Sequence, residues 1–165
     1  MLQVSQRAHY GLRAMTELAK VYGQGPRSLA EIAEIERLPV GYLEQLAMPL
    51  RRAGLIESTR GAHGGYELAR PPAEVTVGDV VRALEGQVAP VECLGDEYVA
   101  GGCIRDTDCL SRSVWQRVKA GVDQVLDSMT LGDLTVLAQG HGGTAFVPIS
   151  DLKHGTVSDP CAIAG

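Results

Sequence analysis

Gly54-Leu-Ile-Glu-Ser-Thr-Arg60-Gly-Ala-His-Gly-Gly-Tyr-Glu-Leu68 is the stretch that decides the architecture of this chain. Leu55-Ile-Glu-Ser58 reads as a strand, and Gly65-Tyr-Glu-Leu68 as its hairpin partner. Between them lie Thr59, Arg60, Gly61, Ala62, His63 and Gly64, a run rich in residues that turn. Three segments of helical period precede this hairpin. Helix, helix, helix, hairpin is the order of a winged helix-turn-helix.

Upstream, Tyr10, Ala14, Leu18 and Val21 recur at helical spacing, flanked by Leu12, Met15 and Ala19, which predicts a first helix from about Ser5 to Tyr22. Gly23 and Gly25-Pro26 end it. Ser28-Leu-Ala-Glu31 is a capping box, in which a hydroxyl and a carboxylate reciprocally satisfy free backbone N–H groups. It starts a second helix that closes near Arg37. The third opens with Pro39, buries Leu43, Leu46, Ala47 and Leu50, and ends at Gly54. Pro49 inside it removes a hydrogen bond, so a kink or early softening is expected there.

Downstream, Thr76-Val-Gly-Asp79 is a second capping box, starting a helix through Leu84 whose Val77, Val80, Val81 and Leu84 can pack on the winged unit. A long helix is expected from about Ser113 to Met129. Val114, Val118, Val122, Val125 and Met129 form one stripe on it, widened by Trp115 and Leu126. That is more apolar surface than a lone helix exposes to water. Packing against its twin in a homodimer would cover it, as would burial against the chain's own winged unit. Thr130-Leu-Gly-Asp133 caps a short last helix. Beyond Gln139 the composition turns to Gly, Pro, Ser and Thr without period. The expected class is mainly α. A winged helix-turn-helix DNA-binding domain covers 1–87, a cysteine-containing loop 88–112, a dimerisation helix with a short capping helix 113–139, and a flexible tail 140–165.

Composition agrees with this division. The 165 residues are 45% hydrophobic but only 4% aromatic, so Leu, Val and Ala must fill the core. The net charge of −5 is unevenly placed: residues 1–72 carry nine Lys and Arg against seven Asp and Glu, residues 73–165 six against thirteen. A slightly basic front and an acidic back suit a DNA reader joined to a sensing or dimerising segment. No apolar run is long enough to span a bilayer, and charges sit where a signal peptide needs an apolar centre. A cytoplasmic protein without membrane association is expected. No G-x-G-x-x-G, P-loop, H-E-x-x-H or G-x-S-x-G appears and the histidines are scattered, so catalysis is not expected.

The outer face of the third helix offers Gly41, Glu44, Gln45, Met48, Arg51 and Arg52. Gln45 can pair with adenine edges, Glu44 can accept from cytosine N4, and Arg51 or Arg52 can reach phosphate. Arg60, at the tip of the expected wing with His63 nearby, suits a narrow minor groove. Each residue alone is an ordinary solvated position; all of them in this order within forty residues point to double-stranded DNA.

Of four cysteines, Cys93, Cys103 and Cys109 fall within seventeen residues as C-x9-C-x5-C in a Gly- and Asp-rich loop. In a reducing compartment such thiols read as metal ligands before they read as disulfides. Three thiolates can hold an iron–sulfur cluster, or contribute to a zinc site; a metal-free thiol switch is the third reading. Spacing does not separate them.

The run Gly54 to Arg70 resembles the wing of the IscR/NsrR-type regulators, the Rrf-two family; Tyr42-Leu-Glu-Gln-Leu46 resembles their recognition helix and His9-Tyr-Gly-Leu-Arg-Ala14 their first helix. The likeness spans roughly residues 1–135. It implies a homodimeric repressor or dual regulator on a pseudo-palindromic operator, with Gly41, Tyr42, Glu44, Gln45, Arg51, Arg52, Arg60 and His63 at the DNA. It also implies a cluster on Cys93, Cys103 and Cys109, although the first gap is longer than that family's usual five residues. Where IscR-like members place a ligand histidine, this chain has Arg112, a residue that stays protonated. Where NsrR-like members supply a carboxylate from the other subunit, this chain has His9. An imidazole ligand favours [2Fe-2S] over [4Fe-4S]. Glu92, Asp106 and Asp108 are local alternatives, and Cys161 is a bystander.

Overall fold

The computed structural model describes residues 5–61 and 64–139. The expected tail, with Cys161, and the wing residue His63 lie outside the described residues. The elements are α1 (Gln6–Lys20), α2 (Leu29–Glu36), α3 (Val40–Arg52), β1 (Ile56–Thr59), β2 (Gly65–Leu68), α4 (Val77–Glu85), α5 (Leu110–Asp127) and α6 (Leu131–Gln139). It is a mainly helical winged helix-turn-helix.

The helix starts follow from local chemistry. Ser5 Oγ accepts the Ala8 N–H and caps α1. Both capping boxes form, with Ser28 and Glu31 at α2 and Thr76 and Asp79 at α4. Arg37, at φ 54°, ends α2 in the left-handed region and turns the chain toward α3. Contrary to the expectation of early softening, α3 continues through Pro49 to Arg52. The proline leaves the Gln45 carbonyl without its i+4 donor. Leu46, Ala47 and Leu50, all buried on either side of it, hold the helix against the core.

The wing is antiparallel, in register from Ile56 opposite Leu68 to Thr59 opposite Gly65. Its strand β1 sits one residue later than expected. A contact that periodicity does not announce fastens it: Arg27, ahead of α2, bridges Tyr66 through hydrogen bonds of 2.9 and 2.8 Å. Gly65 permits this approach, since a Cβ there would lie 2.4 Å from the Arg27 carbonyl oxygen.

Met15, Ile32, Leu43, Leu46, Val75, Val80 and Leu131 are fully buried, joining α1 through α4 and α6 in one core. Each such side chain contributes roughly 2 kcal/mol by leaving water. Leu131 of α6 is part of this core. The Val77 N–H donates to the Met129 carbonyl at 2.8 Å and the Leu131 N–H to the Val75 carbonyl at 2.9 Å.

Helix α5 begins at Leu110, three residues before the expected Ser113, with Cys109 as its N-cap. The sequence reading placed the start where the apolar stripe becomes regular. The polar first turn, which faces the cysteine loop, carries no such signal. No residue of α5 is buried. Its far end is tied to α4, where Arg82 Nη2 donates to Asp127 Oδ1 at 2.6 Å and Thr76 Oγ1 to the same oxygen at 3.4 Å. Among the described residues, no helix is long and apolar enough to cross a membrane.

Candidate DNA interface and cysteine loop

One face of α3 is buried and the other is open. Gly41, Glu44, Gln45, Met48, Arg51 and Arg52 are exposed, while Leu43, Leu46, Ala47 and Leu50 enter the core. The helical period separates the two sets. Arg51 Nη1 donates to Ser58 Oγ at 3.4 Å, tying the end of α3 to the wing. Arg60 is exposed beside Gly61, whose φ of 125° makes the tight turn.

Tyr42 differs from its neighbours. It is half-buried, with its ring 6.1 Å from that of Tyr10 in an edge-to-face contact. Arg13 lies over the other ring, its guanidinium carbon 5.5 Å from the Tyr10 centre, and pairs with Glu36. This brace sets the entry of α3 from α1 and the end of α2. The sequence marks Tyr10 only as a core residue, and the role of Arg13 has no periodic signal.

The cysteine loop leaves α4 at Gly86 and contains one short 3-10 turn, Glu92–Leu94. Cys93 and Cys109 are half-buried and Cys103 is exposed; all three are free thiols. Ser111 Oγ lies 3.2 Å from Cys109 Sγ. The Ser111 hydroxyl, then the Arg112 backbone N–H, hold the Cys109 thiol below the usual range. An acidified thiol is a better nucleophile and a readier metal ligand at neutral pH. In the metal-free protein, the rate of Cys109 alkylation is expected to rise with pH at a midpoint below the ordinary thiol value of about 8.5. Ser111→Ala should move that midpoint up, as site-resolved mass spectrometry of the modified cysteine would show.

Among the described residues, no group of three or more His, Cys, Asp or Glu side chains is arranged to hold a metal ion. His9 is exposed on α1, its ring 5.2 Å from that of Tyr10, and is part of no such group among the described residues. Asp106 is engaged with Arg112 at 2.7 Å and with the Gly101 N–H at 2.6 Å. The Gly101 N–H first, then Tyr98 and Arg112, hold the Asp106 carboxyl below its usual range. It therefore stays charged and paired at neutral pH. Its contacts loosen only as pH falls through that lowered value. Glu92 and Asp108 are exposed.

The stripe expected on α5 is open in the single chain. Val114 is 57% exposed, and Trp115, Val118 and Val125 are each about 40% exposed. Val122 and Met129 are half-buried.

An exposed polar helix beside a glycine-tipped wing, both carried on a compact helical core, defines a winged-helix DNA-binding regulator. The chain belongs to the Rrf2 family: the family model, described as an iron-dependent transcriptional regulator, matches residues 4–136. It is 46% identical over 139 residues to the HTH-type transcriptional regulator CymR of Bacillus subtilis, spanning 84% of this chain and 94% of the relative. The solved structure of that protein, titled the global cysteine regulator, superposes with a TM-score of 0.68 over 83% of this chain and 98% of its own. The structure of T. potens IscR matches with a TM-score of 0.68 at 41% identity, over 88% of this chain and 95% of its own. An oxidised form of Staphylococcus aureus CymR matches with a TM-score of 0.61 at 41% identity, over 81% and 95%. These relatives are regulators of transcription, and so is this chain; it is not an enzyme.

Proposed function

We propose that the chain is a homodimeric cytoplasmic repressor or dual regulator that reads a pseudo-palindromic operator with α3 and the wing. It senses iron, redox state or nitric oxide through an iron–sulfur cluster on Cys93, Cys103 and Cys109. The observation that carries the sensing half is the make-up and place of the loop. Three free thiols, one of them acidified, lie on the segment that enters α5, and α5 presents an unburied apolar stripe. The family description, which names iron, supports the same reading.

The donor chemistry fits such a cluster, since thiolates are its usual ligands. The loop is open, so holding a cluster would require it to close on the group. His9, exposed on α1, is the proposed fourth ligand, offered to the partner subunit's loop. When bound, the cluster supplies a group that reacts with oxidants and nitric oxide. The protein's part is mechanical. Ordering the loop fixes the first turn of α5. The far end of α5 is joined through Asp127 to Arg82 and Thr76 of the α4 region, and α4 packs on α1 and α3. The spacing of two recognition helices in a dimer would shift accordingly. The linkage is reciprocal, so operator must change metal affinity by the same factor.

At the DNA, Gln45→Ala is expected to cost about 1–3 kcal/mol of discrimination at one base pair of each half-site. Arg52→Ala should instead weaken all sequences alike and flatten the salt dependence. Anisotropy titrations against an operator series with single substitutions would distinguish the two.

A thiol switch is the second reading, favoured by the acidified Cys109 and by the oxidised structure of a relative. Zinc held by the same thiols is the other alternative. Anaerobic purification followed by visible absorption and iron, sulfide and zinc analysis tests all three. A brown protein with acid-labile sulfide is expected. Colourless protein with stoichiometric zinc, or with no metal, would overturn the cluster and favour the respective alternative.

A further inference from the structure

Arg112 stands three residues after the last loop cysteine and directs its whole guanidinium back into the loop. Nη1 donates to the Asp106 carboxylate at 2.7 Å and to the Asp106 carbonyl at 3.3 Å. Nη2 donates to the Cys93 carbonyl at 3.4 Å. The guanidinium carbon lies 5.7 Å from the centre of the Tyr98 ring. Asp106 in turn accepts the Gly101 N–H at 2.6 Å.

These contacts reach all three cysteine-bearing segments. Cys93 is held at its own carbonyl. Cys103 lies between Gly101 and Asp106, the two ends of one hydrogen bond. Cys109 accepts the Arg112 backbone N–H through its carbonyl at 3.1 Å. The side chain thus ties the Cys93 segment and, through Asp106, the Cys103 segment to the first turn of α5, while the bond to Cys109 is made by the Arg112 backbone.

The side chain is also held at some cost. Arg112 Nε is buried without a hydrogen-bond partner, and the Tyr98 hydroxyl lies beside the Asp106 carboxylate. Burial and the nearby Asp106 carboxylate push the Tyr98 phenol up. An arginine on the open first turn of α5 could leave for water and regain its missing bond. The Nη1 and Nη2 contacts to Asp106 and Cys93 hold it in the loop instead.

We infer that Arg112 is a positioning residue of the sensing loop, braced by Asp106 and Tyr98. It limits the conformations from which the three thiols have to be gathered, and it is not itself a ligand. The inference rests on the reading that these thiols bind a metal. Its physical basis is that closing a loop already ordered forfeits less entropy than closing a free one.

The test uses the full-length, metal-free protein, and compares wild type with Arg112→Ala, Arg112→Lys and Asp106→Asn. Amide hydrogen exchange reads the loop, and anaerobic titration with Co2+, followed by the thiolate-to-cobalt charge-transfer band, reads metal binding. For Arg112→Ala, exchange across 94–108 is expected to accelerate about tenfold while α1 to α4 stay protected. Co2+ should bind about tenfold more weakly, with an unchanged band for each bound ion because no ligand is lost. Arg112→Lys keeps an ion pair but not the reach to Cys93, and should fall between. Asp106→Asn cuts the same brace from the loop side, and serves if the alanine variant does not fold. Exchange and Co2+ affinity equal to wild type in these variants would overturn the proposal. So would an altered band, which would make Arg112 part of the ligand arrangement. Faster exchange with no Co2+ uptake by any of the proteins would support the brace and overturn the metal reading on which it rests.

Discussion

Val118→Asp is expected to yield a folded monomer that binds operator at least about a hundredfold more weakly than wild type. In the single chain Val118 is 40% exposed, in mid-helix on α5, on a helix with no buried residue. A substitution there should change the stability of the winged unit by no more than about 0.5 kcal/mol. In a homodimer joined through this stripe, the same carboxylate would face its twin across an apolar seam. An unpaired buried charge costs on the order of 3–5 kcal/mol, which is enough to separate the subunits at micromolar concentration. Separated subunits read one half-site each and lose the combined affinity. The single tryptophan of the chain, Trp115, lies on the same stripe and reports the event. Its emission should shift to the red in the variant, beside a halved mass by light scattering. A dimeric Val118→Asp protein with wild-type affinity would place the subunit contact elsewhere.

The second large effect is expected at Gly65→Val, which should destabilise the domain by about 3 kcal/mol and abolish measurable operator binding. The added Cβ would fall 2.4 Å from the Arg27 carbonyl oxygen and 2.5 Å from its carbon, both of them backbone atoms that cannot swing aside. The two hydrogen bonds between Arg27 and Tyr66 would open, releasing β2 and with it the wing that presents Arg60. Gly41→Ala is the contrasting change. Nothing lies within 4 Å of a Cβ there, so stability should hold while any effect on the DNA remains visible. Thermal unfolding of both variants, paired with operator titrations, would separate loss of fold from loss of contact. A Gly65→Val protein as stable as wild type would remove the wing anchor from this account.

How legible the molecule was depended on how local each cause is. The buried faces of α1 to α4, both capping boxes and the hairpin are set by residues a few positions apart, and the sequence read them within a residue or two. Pro49 misled because the cost of one missing N–H is local, while the burial of Leu46, Ala47 and Leu50 that offsets it is not. The start of α5 was placed late because its first turn, Leu110 to Arg112, bonds to the loop and carries no apolar period. Contacts between distant segments left no pattern at all. Arg27 on Tyr66, Arg13 between Tyr10 and Glu36, and Arg112 on Asp106 and Cys93 are visible only once the chain is folded. The three cysteines stand out in the sequence as candidate ligands by their spacing, on a loop that the structure leaves ungathered. How such a loop would gather them has no local sequence signal, because it has little regular structure of its own.

The central claim is that the cysteine loop governs DNA binding. The most direct measurement is operator affinity at one fixed salt concentration, for anaerobically purified wild-type protein, the same protein stripped of metal, and Cys103→Ala. The account predicts that stripping changes wild-type affinity about tenfold or more, and that Cys103→Ala behaves like stripped protein whether or not it has been stripped. Equal affinities across all three samples would leave a winged-helix regulator whose loop does not control it, and would contradict the account.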